Sequence, residues 1–470
     1  MRRAALVTGV SALVLLLGAG GYLTADAYDV VPGWLTVAPV PAPQSPFPTA
    51  PGAVAASALA PVLANLTNDA PVPTDARVRA IVAALASDSR MGPSTGVVVA
   101  DQLTGDVLGE HDPTTPHTPA STAKLVTAVA ALSAIGPTKT LPTTVVSAGS
   151  GKIVLVGGGD MMLAAGKGDP DLINGRAGLA DLAKGTARAL TLAGTKTVTL
   201  GVDDGLFSGP ALNPAWDPSH LVNGFAAPIT PLSVNIAGLR GGEYPPRAAD
   251  PSLAAAAQFV TALRAEGITV TGPPKRVTAP HSAPELAVVQ SAPMGELVQF
   301  FLDTSDNVIT EVVGRLVALN AGLPGSFDGA TKAVLARAQR LGVNTAGARL
   351  VDSSGLGDGS VLPARTLLGL VRLITDPAHP ELRQVSADLP IAGLRGTLID
   401  RYRGSPARGL VRAKTGSLSG VTALAGTIVD ADGRQLLFVV LADKTPAGGQ
   451  GAPRAAIDAA VEKLAACGCS

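Results

Sequence analysis

The chain has 470 residues, of which 47% are hydrophobic, 3% aromatic and 15% charged, material for about three domains or one large domain with an insertion. The charged fraction lies well below the usual ~25% and 36 Lys+Arg balance 36 Asp+Glu, which excludes a disordered, highly charged chain. No Lys/Arg run is longer than two, so nucleic acid is not an expected partner.

Arg2 and Arg3 precede an uncharged run from Ala4 to Leu23. A basic start followed by an apolar stretch is an export signal, and Ala25-Asp26-Ala27 offers a small-x-small cleavage site. About 20 apolar residues can also span a bilayer. Residues 1–30 therefore read as a cleaved signal peptide or a retained membrane anchor, with the body outside the cytoplasmic membrane, in the periplasm or cell wall, under either reading. Residues 31–75 form a Pro/Ala-rich linker, with six prolines between Pro39 and Pro51 that favour an extended, semi-rigid spacer.

The body begins with an apolar-faced helix over Ala76–Ala86. A strand at Gly96–Asp101 and a second from Val107 follow, and Pro119-Ala120-Ser121 then opens a helix with Leu125, Val126, Val129 and Leu132 on one face. Residues 141–275 alternate short strands (Lys152–Val156, Thr197–Val202) with helices (Gly178–Leu192, Ser252–Ala265) and read as an inserted α/β region. Near the C-terminus, strands at Leu410–Lys414, Val421–Val429 and Gln435–Leu441 precede a helix over Ala452–Ala466, with a turn expected at Gly416–Gly420. The early and late strands are expected to join one antiparallel sheet flanked by helices, an α+β catalytic domain of residues 76–140 and 276–470.

The five histidines are scattered with no metal-ligand spacing, so neither a metal nor another cofactor is expected. Cys467 and Cys469, the only cysteines, read as an incidental tail, with a local disulfide or weak metal site as alternatives. Ser121-Thr122-Ala123-Lys124 is the single Ser-x-x-Lys; at a helix start it places a hydroxyl beside an amine. A serine needs a base to become a nucleophile, and a lysine can be that base once burial lowers its pKa. Lys414-Thr415-Gly416 is the single Lys-Thr-Gly; Lys and Thr together can hold a carboxylate, and Gly lets a ligand approach the backbone. Ser-x-Asn occurs at Ser233–Asn235, inside an expected strand, and at Ser305-Asp306-Asn307, in a loop between helices at Glu296–Leu302 and Val308–Leu319. The loop can project both side chains into a cleft, which favours Ser305 and Asn307.

Ser-x-x-Lys, Ser-Asp-Asn and Lys-Thr-Gly in this order form the motif set of class A β-lactamases and penicillin-binding proteins. The 184 residues from Ser121 to Ser305 leave room for an insertion, and the chain from Asp75 to Ala466 resembles the low-molecular-mass class C penicillin-binding proteins. These are the D-alanyl-D-alanine carboxypeptidases and endopeptidases of peptidase family S13. Gly157-Gly158-Gly159-Asp160, Asp352-Ser353-Ser354-Gly355-Leu356 and Ala392–Leu398 add to the likeness, although Met161-Met162 departs from the family's text after the aspartate.

The resemblance implies a penicillin-binding-protein/β-lactamase-like fold. It also implies an acyl-enzyme on Ser121 with Lys124 as base, and proton delivery to the leaving amine through Ser305. Asn307 would hold the substrate amide, and Lys414, Thr415, Gly416 and Ser417 would bind the terminal carboxylate and help form the oxyanion hole. The implied partners are a peptidoglycan stem peptide ending in D-Ala-D-Ala and covalently bound β-lactams. Asp160 is expected to line a pocket and pair with an ammonium of the stem peptide's diamino acid, or else to cap the next turn. A class A β-lactamase would need Glu-x-x-Leu-Asn between the second and third motifs, and the sequence has none there. A non-catalytic wall-binding or β-lactam-sensing module is the alternative of a different kind.

Overall fold

The structure, a computed structural model, describes residues 16–28, 30, 31, 35 and 69–468. The chain divides into two units, Met1–Asn65 and Leu66–Ser470. In the first, residues 16–27 are helical, and no helix among the described residues is long and apolar enough to cross a membrane. The expected start of the export signal, the proline-rich spacer at 38–51 and Cys469 lie outside the described residues.

The second unit is built on a five-stranded antiparallel sheet in the order Val411–Leu418, Val421–Val429, Gln435–Ala442, Thr95–Asp101, Val107–His111. The early and late strands thus share one sheet, as expected, with Val99 opposite Phe438. Every residue of Thr95–Asp101 is buried, because both faces are covered. Side chains alternate along a strand. Val97 and Val99 pack with Val78, Val82 and Ile457 of the helices Asp75–Ala86 and Gly451–Ala465. Val98 and Ala100 belong to the opposite core, with Leu125, Val129 and Leu367. A strand buried on both faces reads as a continuous apolar run, and Gly96–Ala100 is one.

The inserted region has its own sheet and core. Strands Lys275–Arg276, Thr197–Asp203, Lys152–Gly157, Pro142–Ser147 and Glu285–Gln290 lie side by side. Helices Leu179–Leu192 and Pro251–Ala265 pack on them through Leu182, Leu190, Phe259 and Leu263. The expected boundary at residue 275 is therefore corrected. Glu285–Gln290 pairs with Pro142–Ser147, so the sheet of this region runs to about residue 290 rather than ending at 275. The outgoing and returning chains are clamped where they leave the domain: Leu141 N–H donates to Ser291 Oγ at 2.9 Å and Ser291 N–H to Leu141 O at 3.0 Å.

A second correction concerns the Lys-Thr-Gly segment. The strand does not end at Lys414 but continues to Leu418. Gly416 marks a close approach rather than a turn, since a Cβ there would stand 2.7 Å from Pro119 O.

Candidate active site

The Ser-x-x-Lys segment starts as a 3-10 turn, Ala120–Ala123, which runs into the helix Lys124–Ala134. Side chains at i and i+3 eclipse in a 3-10 turn, and Lys124 Nζ lies 2.8 Å from Ser121 Oγ. The residue before Ser121, Ala120, has φ 46°, a left-handed conformation that costs a side chain roughly 1–2 kcal/mol. Its backbone is wedged by two glycines. A Cβ on Gly355 would meet Ala120 O at 1.9 Å, and one on Gly416 would meet Pro119 O. Strain held at such a point is a mark of functional sites.

Lys124 is fully buried. Besides Ser121, its Nζ contacts Asn307 Oδ1 at 2.7 Å and Ser354 O at 3.1 Å. Burial pushes its pKa down to about 8 against the opposing pull of Asp352, Asp306 and Glu311. An amine in this setting releases its proton far more readily than an exposed lysine.

The second motif sits where two helices abut. Met294–Thr304 ends at Ser305, whose φ of 61° is left-handed. Asp306 then caps the helix Asn307–Asn320 by accepting from Ile309 N–H at 2.8 Å. The sharp bend brings Ser305 and Asn307 to the same cleft as Ser121. Asn307 Nδ2 donates to Phe225 O at 2.9 Å, which ties the inserted region to the second motif.

On the edge strand, side chains alternate: Lys414 is buried, and Thr415 and Ser417 are half-buried and line the cleft. Lys414 Nζ donates to Ser305 Oγ at 3.0 Å and to Thr415 O at 3.1 Å. Burial, reinforced by the charge of Lys124, holds its pKa well below the usual lysine range. Thr415 Oγ1 shares a 2.8 Å hydrogen bond with Thr397 Oγ1, and Ser417 Oγ accepts from Arg454 Nη2 at 2.9 Å. The cleft encloses about 470 Å³. The edge-to-face pair Phe225–Tyr244, with ring centres 4.8 Å apart, forms part of its wall.

Ser121, Lys124, Ser305, Asn307, Lys414, Thr415, Gly416 and Ser417 thus converge, while neither Ser233 nor Asn235 lines the cleft. Asp160 departs from the pocket role expected of it. It is buried in the strand Asp160–Leu163, away from the cleft lining, and its Oδ1 accepts from Met162 N–H at 2.7 Å. Burial raises its pKa to about 7. This is the geometry of a turn cap, because a carboxyl held by a backbone N–H two residues on is already engaged.

Two further groups, Glu311 and Asp352, position the site although the three motifs assign them no role. Glu311 is buried and accepts from Ser353 N–H and Ser354 N–H at 2.8–3.1 Å. Asp352, equally buried, accepts from Gly355 N–H, Gly357 N–H and Trp216 Nε1. Together they fix the loop that aims Ser354 O at Lys124. Burial and the neighbouring Asp352 push the Glu311 pKa upward. The available signal is a carboxylate one helical turn after Asn307, in a helix whose neighbouring residues Val308, Ile309, Val312 and Val313 are all apolar. Among the described residues there is no group of three or more His, Cys, Asp or Glu that could hold a metal.

Residues 78–246 and 243–466 match the D-Ala-D-Ala carboxypeptidase 3 (S13) family. The chain is 37% identical to a carboxypeptidase of Mycobacterium tuberculosis over 86% of its own length and 87% of that protein. It is 38% identical to the carboxypeptidase DacB of Mycolicibacterium smegmatis, covering 85% and 86% of the two chains. The crystal structure of penicillin binding protein 4 (dacB) from Haemophilus influenzae superposes with a TM-score of 0.69 at 24% identity, covering 80% of this chain and 97% of that one. This last likeness shows a common fold.

Proposed function

This chain belongs to the D-Ala-D-Ala carboxypeptidase 3 (S13) family and is a serine-type D-Ala-D-Ala carboxypeptidase, and we propose that its acyl-enzyme forms on Ser121 with Lys124 as the base. One observation carries the assignment. Two of the three contacts of Lys124 Nζ, Asn307 Oδ1 and Ser354 O, are carbonyl oxygens that can only accept. A neutral amine has two N–H bonds and one lone pair. With both N–H bonds given to those carbonyls, the lone pair is left for the Ser121 hydroxyl at 2.8 Å.

Ser121 Oγ attacks the carbonyl carbon of the penultimate D-Ala as its proton passes to Lys124 Nζ. The oxyanion is held by the backbone N–H groups of Ser121 and Ser417, a contribution of about 3 kcal/mol per donor. The proton then moves from Lys124 through Ser305 to the leaving nitrogen, with Lys414 holding the Ser305 hydroxyl in place. The C–N bond breaks and D-Ala departs. Water attacks the resulting ester as its proton passes to Lys124; Lys124 returns that proton to Ser121 Oγ as the acyl C–O bond breaks, which frees the acid and restores both side chains. A β-lactam opens on the same serine, but its leaving nitrogen stays tethered to the acyl group and obstructs the water, so the adduct persists. Cleavage of cross-bridges between stem peptides uses the same steps with a longer leaving amine. The export reading of residues 1–30 places this chemistry at the cell wall, where the peptidoglycan substrate lies.

The test is continuous release of D-Ala from a stem pentapeptide by the purified protein. Many equivalents per enzyme are expected. A single equivalent followed by arrest would instead indicate a sensor that acylates once.

A further inference from the structure

The cleft needs a cation for a carboxylate, and the lysine of the third motif is poorly placed to be it. Lys414 is fully buried, with its Nζ on Ser305 Oγ and the carbonyl of Thr415. Three arginines line the cleft: Arg247, Arg401 and Arg454. Two of them are committed elsewhere. Arg247 donates to the carbonyls of Gly224 and Ile236. Arg401 forms a two-pronged ion pair with Asp458. Arg454, near the start of the helix Gly451–Ala465, is exposed and donates to a neutral group, Ser417 Oγ, at 2.9 Å. No described carboxylate lies in ion-pair contact with it; Asp458, one turn on, is taken by Arg401.

We propose that Arg454, together with the hydroxyls of Ser417 and Thr415, forms the anion site that selects substrates bearing a carboxylate on the leaving group. This inference rests on the peptidase reading of the cleft. Thr415 and Ser417 are two apart on the strand and so present their hydroxyls on one face. Because Ser417 Oγ accepts from Arg454, its own O–H is directed elsewhere and can donate to an anion. The guanidinium then supplies a permanent charge and a planar pair of donors matched to a carboxylate. The terminal D-Ala of a stem peptide carries such a carboxylate one carbon from the scissile nitrogen. Lys414 is thereby released from the carboxylate role and acts on Ser305 alone.

The experiment compares two thioesters of one N-acyl-D-Ala, one leaving thioglycolate with its free carboxylate and one leaving the methyl ester of thioglycolate. Both release a thiol on acylation, so kcat/KM is read the same way for each. The preference of the wild type for the charged form should collapse by about ten- to a hundredfold in Arg454→Gln, the worth of a charge-assisted hydrogen bond. Arg454→Lys should restore part of it, since it returns charge but not the fork. Added salt should erode the preference in the wild type and leave that of Arg454→Gln flat. An unchanged preference in Arg454→Gln, or equal losses on both thioesters, would overturn the proposal. Failure of the peptidase reading looks different: the wild type itself would turn over neither thioester, whatever stands at 454.

Discussion

Replacing Gly355 with alanine should disable the active site without touching a reacting group. Gly355 has φ 76°, and an added Cβ would stand 1.9 Å from Ala120 O, 2.7 Å from Ala120 C and 3.0 Å from the Ala123 side chain. The first of these is about 1 Å short of any tolerable approach, and the obstacle is backbone rather than a flexible side chain. Something must move: either the turn carrying Ser121 or the loop 352–357. The loop is pinned by Glu311 and Asp352 through four backbone N–H groups. Whichever yields, the three contacts of Lys124 Nζ can no longer coexist. A displacement of about 1 Å at a reacting pair costs on the order of a hundredfold in rate. The left-handed conformation and the overpacking together cost roughly 2–5 kcal/mol of stability. The assay is the second-order rate of penicillin acylation, followed by intact mass, alongside thermal unfolding. Gly322→Ala is the control. It shares a positive φ of 73° but has nothing within 4 Å of its added Cβ, so it should lose only the roughly 1–2 kcal/mol of the left-handed conformation and keep its acylation rate. Wild-type acylation by Gly355→Ala, or an equal effect of the two substitutions, would refute the claim that this loop is wedged against the nucleophile turn.

Lys124→Arg should lower acylation by about 10²–10⁴-fold, because a guanidinium keeps its proton at any working pH; retention of more than a tenth of the rate, measured by stopped-flow penicillin binding, would contradict the base assignment. The acylation rate should climb with pH through a midpoint near 8. Lys124 must be unprotonated to act, so activity is lost as pH falls through that value; a profile flat from about pH 6 to about pH 9 would count against it. Arg434→Met should cost roughly 3–5 kcal/mol by stranding Asp101, which is buried and bonded to Arg434 at 2.6 and 2.7 Å; a loss below about 1 kcal/mol in urea unfolding would show that the pair adds little.

Much of the site could be read from the sequence because its chemistry lies in short, local patterns. Ser121 and Lys124 are three residues apart, and Ser305 and Asn307 flank one helix cap, so local geometry alone brings each pair together. The main sheet was legible because Val421–Val429 and Gln435–Ala442 are apolar runs separated by a clear Asp-Gly turn. Gly416 is ambiguous in sequence: glycine in a strand can signal a turn or a close backbone approach, and only the position of Pro119 decides between them. The strand Glu285–Gln290 is not legible in the sequence, since its partner lies near residue 145, far away along the chain. Asp160 followed the family text into an expected pocket, but burial beside Met162 turned its carboxyl onto the backbone. Arg454 left no mark in the sequence at all, because an arginine on an exposed helix face becomes informative only when Ser417 is found beside it.

Whether Ser121 carries the acyl group is decided by digestion and peptide mapping of the protein after penicillin treatment. One penicilloyl group per chain is expected, on the peptide containing Ser121, with no adduct on a folded Ser121→Ala variant of unchanged melting temperature. An adduct on any other residue, or one surviving in Ser121→Ala, would contradict the assignment to Ser121.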